Sequence, residues 1–114
     1  MTAHLPPDVT IEPVFLVEAT YAPDAAETRV PFRAEHAARL AALRDAGVVI
    51  EAGAFADVSA SLVLLRAADA EAALEIARDD VYLRNGVWVE IRVRPFGRVC
   101  RPGELRGSTT ASRS

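Results

Sequence analysis

Residues 31–53 read PFRAEHAARLAALRDAGVVIEAG, a helix that stops at a glycine and runs straight into a strand. Phe32, His36, Leu40 and Leu43 recur at spacings of four, four and three, so they share one helix face. That face should point at the core, and its one polar member is His36. Arg33 sits one position round the helix, near the same end. Pro31 is tolerable in the first turn, where its missing N–H costs nothing. Gly47 follows the periodic run and suits the C′ position, because glycine takes the left-handed conformation without a Cβ penalty. Residues 48–53 (VVIEAG) then have the β-branched density of a strand. A histidine on the apolar face near a helix N-terminus is the strongest functional lead in the chain.

Upstream, residues 13–19 (PVFLVEA) form a short apolar run fit for a buried strand, and residues 20–30 hold the turn formers Pro23, Asp24 and Thr28. Downstream, residues 54–61 (AFADVSAS) read as a hairpin connection into a third strand at 61–67 (SLVLLRA). Asp69 suits an N-cap and Glu71 favours the helix dipole. A second helix follows, with Ala70, Ala73, Leu74 and Ala77 at helical spacing as far as Asp79. Residues 79–86 (DDVYLRNG) read as a loop closed by Asn85-Gly86. Val87, Val89, Ile91 and Val93 then alternate with Trp88, Glu90, Arg92 and Arg94, a strand of period two that Pro95 should end. Residues 1–12 are expected to be a loose lead-in with His4 solvated, residues 13–99 one domain, and residues 100–114 a polar, disordered tail.

The order β-α-β-β-α-β is the split βαβ, or ferredoxin-like, pattern: an α+β fold with two helices on one face of a four-stranded antiparallel sheet. Strand directions then fix what meets what. The start of the first helix, the end of the second strand and the end of the second helix share one end of the sheet. Tyr21, Asp24, Arg33, His36, Gly53, Asp57, Asp80 and Tyr82 gather there.

Composition narrows the chemistry. A net charge of −3 over 114 residues argues against nucleic acid as the main partner. All 13 basic residues are arginine, which excludes a lysine Schiff base. The single cysteine, Cys100, allows neither an intramolecular disulfide nor a multi-thiolate metal site. With two histidines, one of them His4, no metal is expected, and no cofactor either. No apolar run approaches membrane-spanning length and the first residues lack a signal pattern, so no membrane partner is expected and the cytoplasm is the default location.

Four motifs, in order, resemble those of the YciI-related (YCII) family of small bacterial proteins over residues 13–99. They are Arg33-x-x-His36, Ala52-Gly53, Asp80-x-Tyr82 and Val93-Arg94-Pro95-Phe96. The family usually has proline after the glycine and between the aspartate and tyrosine; this chain has Ala54 and Val81. The resemblance implies a ferredoxin-like fold of the dimeric α/β-barrel type and an active site centred on a histidine and an aspartate. It also implies kinship with muconolactone-isomerase-like enzymes, and with a relative that removes chloride from a chlorinated hydroxyquinone.

The residues themselves are compatible with that chemistry. Histidine titrates near neutrality and serves as acid or base, and a carboxylate on its other ring nitrogen would fix the tautomer and stabilise the imidazolium. Asp80 is the best partner by topology, with Asp57 and Asp24 as substitutes. Arg33 would hold an anionic group, Tyr82 would donate a hydrogen bond, and Gly53 belongs to the same ligand-binding end. The expected function is proton transfer by His36 and Asp80 on a small metabolite, of lyase, isomerase or hydrolase type. The alternatives are a non-catalytic binding module and an accessory dimer with a vestigial pocket. A homodimer through the sheet is expected, because strands apolar on both sides need covering twice. In that reading the aliphatic side of the last strand faces the helices, while Trp88 and its charged neighbours face the partner.

Overall fold

A computed structural model describes residues 5–105; His4 and the tail beyond Leu105 lie outside the described residues. Strand β1 (Thr10–Tyr21) leads through a short helix α1 (Ala25–Thr28) and a 3-10 turn (Val30–Phe32) into helix α2 (Arg33–Asp45). The hairpin β2 (Val49–Ala54) and β3 (Ala60–Leu65) follows, then helix α3 (Ala70–Arg78), a single-turn helix α4 (Val81–Arg84) and β4 (Trp88–Cys100). The strands lie in the order β2-β3-β1-β4 with every neighbouring pair antiparallel. This is the ferredoxin-like α+β fold, with the helices on one face.

Three features differ from the sequence reading. The two sequence-distant strands are longer than expected: β1 begins at Thr10, and β4 continues past Pro95 to Cys100. Pro95 is accommodated because β4 is an edge strand, where half of the backbone N–H groups have no neighbouring strand to bond. Residues 79–86 are not a plain loop. Asp80 caps the one-turn helix α4, its Oδ1 accepting from the Tyr82 N–H at 2.9 Å, so Val81 stands at the first helical position.

The third difference concerns Trp88. Strand β4 bulges against β1, with Thr20 opposite Glu90 but Tyr21 opposite Trp88. A bulge inserts one extra residue and puts the alternation out of phase. Trp88 is therefore turned under the helices at 2 % exposure while Val89 is thrown outward at 58 %. Ile91 and Val93, on the other side of the bulge, keep their expected place against the core. A second shift between Val49 and Glu51 puts Val49 and Ala52 on the same, inner face.

The core has two parts. Val17, Val49, Val63 and Leu65 on the sheet pack beneath Ala73 and Ala77 of α3, whose small side chains allow the helix to lie close. Towards the end of β1, Ala19, Tyr21, Val81, Tyr82, Val87 and Trp88 form the second part, and Phe32 rests against it. At the start of β1 lies a buried charge cluster. Glu12 accepts from Arg66 Nε at 2.6 Å and from Arg98 Nη1 at 2.9 Å. Arg66 also donates to the carbonyls of Gly47 and Glu104. Burial works against the charge on Glu12, but the two arginines outweigh it and hold the carboxyl below its ordinary range.

Candidate active site

The first turn of α2 carries His36 inward because Phe32, His36, Leu40 and Leu43 share the buried face. His36 Nδ1 lies 2.8 Å from Asp80 Oδ1, and both side chains are buried. The capping role of Asp80 fixes its rotamer: one oxygen serves both the Tyr82 N–H and His36, while Oδ2 accepts from Arg39 Nη1 at 3.3 Å. Arg39 is anchored in turn by donating to the Ile76 carbonyl at 2.8 Å. A buried carboxylate is tolerated only with its acceptor capacity used, and three donors meet that requirement here.

Aromatic rings hold the imidazole in place. Tyr82 stacks on it with centroids 3.8 Å apart and planes 8° apart. Trp88 meets it edge-on at 5.3 Å, and Tyr21 meets the Tyr82 ring at 6.1 Å. Trp88 Nε1 is buried with no hydrogen-bond partner among the described residues. Burial first, then Tyr21 and Asp80, push the Tyr82 phenol above its ordinary value against the opposing pull of Arg29 and Arg33. Tyr82 thus stays a neutral hydrogen-bond donor well into the alkaline range.

A cavity of about 160 Å³ opens beside the ring, lined by Tyr21, Arg29, Arg33, His36, Ala52, Gly53, Ser61 and Tyr82 among others. The Ser61 hydroxyl donates to the Gly53 carbonyl at 3.0 Å, joining β3 to β2 at its wall. With Nδ1 tied to Asp80, Nε2 is the ring nitrogen without a hydrogen-bond partner among the described residues. Arg33, Tyr82 and Gly53 are thus brought to one cavity with His36, and Asp80 lies directly behind it. Asp57 and Asp24 are not: Asp57 accepts from the Ser59 N–H in the exposed β2–β3 turn, and Asp24 begins α1 with no side-chain cap bond. Among the described residues no three His, Cys, Asp or Glu side chains gather as a metal-ligand set.

A larger concavity of about 470 Å³ lies on the helix-free face of the sheet, lined by Leu16, Leu62, Leu64, Phe55 and Phe96. It is almost wholly apolar and brings together no acid–base pair, so size does not make it the chemical site. Sequence reasoning missed Arg39, Arg29 and Trp88. Arg39 lies three residues after His36 on the same helix, and that spacing was a usable signal. Arg29 lies four residues before Arg33 in what read as a turn. The inward Trp88 depends on the bulge, which has no visible mark in an alternating strand.

The YCII-related domain model matches residues 14–97. No curated protein matches the chain. Among solved structures, the chain is similar to 5-chloro-2-hydroxyhydroquinone dehydrochlorinase from Burkholderia phenoliruptrix, determined in complex with 2,5-dihydroxybenzoquinone. The superposition has a TM-score of 0.64 at 17 % identity and covers 73 % of this chain and 92 % of that one. At that identity the likeness speaks for the fold.

Proposed function

The chain belongs to the YCII-related family, and from that premise we propose that it is a small-molecule enzyme in which His36 and Asp80 carry out proton transfer. The observation that carries this reading is the buried 2.8 Å contact between His36 Nδ1 and Asp80 Oδ1 beside a cavity. The carboxylate holds the proton on Nδ1 and leaves Nε2 as the acceptor facing the ligand. When Nε2 takes a proton from a C–H or O–H of the substrate, Asp80 stabilises the imidazolium. Arg39 keeps the second carboxylate oxygen occupied, so the dyad does not rearrange. The Tyr82 phenol, neutral across the physiological range, donates to an oxygen of the substrate, and Arg33 at the cavity holds anionic groups. The reaction is of lyase, isomerase or hydrolase type, and the structural neighbour's dehydrochlorination is one instance of such chemistry. Turnover of a panel of phenols, lactones and chlorinated hydroxyquinones tests this. His36→Asn should lower the rate about 10²–10⁴-fold with little loss of stability. Equal turnover by both proteins would end the dyad reading.

We also propose a homodimer through the helix-free face. Leu16, Leu62, Leu64 and Phe96 form a continuous apolar floor there, and its rim is charged, with Arg94–Glu18 at 3.7 Å and Arg92–Glu90 at 3.4 Å. Exposed apolar surface of this kind favours association, and two-fold pairing is the default symmetry. Sedimentation should give a dimer at micromolar concentration and a monomer for Leu64→Glu. A monomeric wild type would remove the proposal.

A further inference from the structure

The cavity beside His36 has the opposite sign of charge to the chain around it. The protein has 16 acidic residues against 13 basic ones, yet the cavity walls include Arg29 and Arg33 and no carboxylate. Eight other arginines each reach a carboxylate within 4.0 Å. Among the described residues Arg29 and Arg33 reach none, and neither is hydrogen-bonded through its side chain to another of them. The nearby acids are engaged elsewhere or lie outside the cavity wall. Glu35, on the same helix as Arg33, lies 3.8 Å from Arg84; Asp80, behind the imidazole, is shared by His36 and Arg39; Glu27 on α1 is exposed and is not part of the cavity wall.

Both arginines line the same cavity as Tyr82 and are near enough to oppose the rise in its phenol pKa. Arg29 directly follows α1 and Arg33 starts α2, so the 3-10 turn Val30–Phe32 sets the spacing of their backbone positions. A pair of guanidiniums at one cavity favours a planar oxyanion, because each presents a fork of parallel N–H donors. The space beside them is well below the ~300–1,000 Å³ usual for drug-sized ligands, which limits the ligand to one ring or a short chain.

From this arrangement we infer that the cavity takes a small organic oxyanion, a carboxylate or an ionised enol or phenol, with its charged oxygens toward Arg29 and Arg33 and its reacting atom at His36 Nε2. The orientation at His36 rests on the proton-transfer reading; the selection of an anion does not. Two positive charges near the reacting atom also stabilise negative charge developing there when the proton leaves, so the pair assists the chemistry as well as the binding.

The test is direct binding, followed by calorimetry and by NMR of the His36 and Tyr82 side chains. The probes are benzoate against benzamide and 4-nitrophenolate against nitrobenzene, each anion beside a neutral compound of similar shape. At least one anion should bind about tenfold or more tightly than its neutral counterpart, as charge-assisted hydrogen bonds require, and the preference should weaken with added salt. Arg29→Met and Arg33→Met should each lose about tenfold in affinity for that anion, and the double variant should lose the preference. Both positions lack side-chain partners among the described residues, so the variants should fold; Arg29→Gln and Arg33→Gln provide a second pair. No preference for either anion, or a preference that survives in the double variant, overturns the inference. The two readings fail separately. Charge-selective binding without any turnover would end proton transfer and leave anion recognition standing, whereas His36-dependent turnover without charge preference would do the reverse.

Discussion

The two ends of β1 each bury a carboxylate gripped by arginine, and only at one of them does a partner of that carboxylate carry an acid–base nitrogen to spare. At the start of the strand, Glu12 is gripped by Arg66 and Arg98, and Arg66 spends its other donors on the Gly47 and Glu104 carbonyls. The cluster is closed to acid–base chemistry, since none of its members exchanges a proton near neutral pH, and what it does is tie the β2 approach and the segment after β4 to the central strand. Beyond the other end, Asp80 is gripped by Arg39, the Tyr82 N–H and His36, but the third of these is an imidazole with one nitrogen unspent beside a cavity. A buried charge by itself therefore says little about function. A buried charge whose partner has a free acid–base group facing open space says a good deal more.

The largest effect should come from emptying the open cluster. Asp80→Ala leaves His36, the Tyr82 N–H and the Arg39 cation without their common acceptor and removes the cap of α4. A loss of about 3–5 kcal/mol is expected in urea unfolding, together with loss of turnover. A variant that stayed near wild-type stability would mean that the three donors find other partners, and the contrast between the two ends would blur.

Glu12→Gln sharpens the comparison from the closed side. It should cost about 1–3 kcal/mol at neutral pH and leave ligand binding at His36 unchanged. The sign of its pH dependence follows from the lowered Glu12 pKa. The folded carboxyl lies below its unfolded value of 4.5, so its stabilisation is present above about 4.5 and is lost as pH falls through the folded value. Urea midpoints of the two proteins should thus converge on acidification below pH ~4.5. Parallel curves would show that the cluster contributes nothing through its charge.

The smallest effect belongs to pairs that are neither closed nor poised. Arg92 and Glu90, 3.4 Å apart on the exposed side of β4, should show a coupling of no more than about 0.5 kcal/mol in a double-mutant cycle on the monomer. A much larger value at dimer-forming concentration would place the pair inside the partner interface.

The sequence alone determined the order of elements, and so the fold. The helical spacing from Phe32 to Leu43, the glycine stop at Gly47 and the β-branched runs are local patterns, set by side-chain periodicity and backbone sterics that each segment carries within itself. Strand directions then followed from connectivity, which is why His36, Asp80, Arg33, Tyr82 and Gly53 could be assigned to one end without coordinates. Tertiary structure decided what periodicity does not encode. Trp88 faces the imidazole because β4 bulges against β1, and a bulge is a property of the pairing of two strands. Pro95 does not stop β4 because that strand lies at the edge of the sheet. Arg39 belongs to the Asp80 cluster, and Arg29 to the cavity, because packing α2 and α3 on the sheet converts distant positions into neighbours. Which donors reach which acceptors depends on separations of a few ångströms across elements, and those are fixed only once the core has closed.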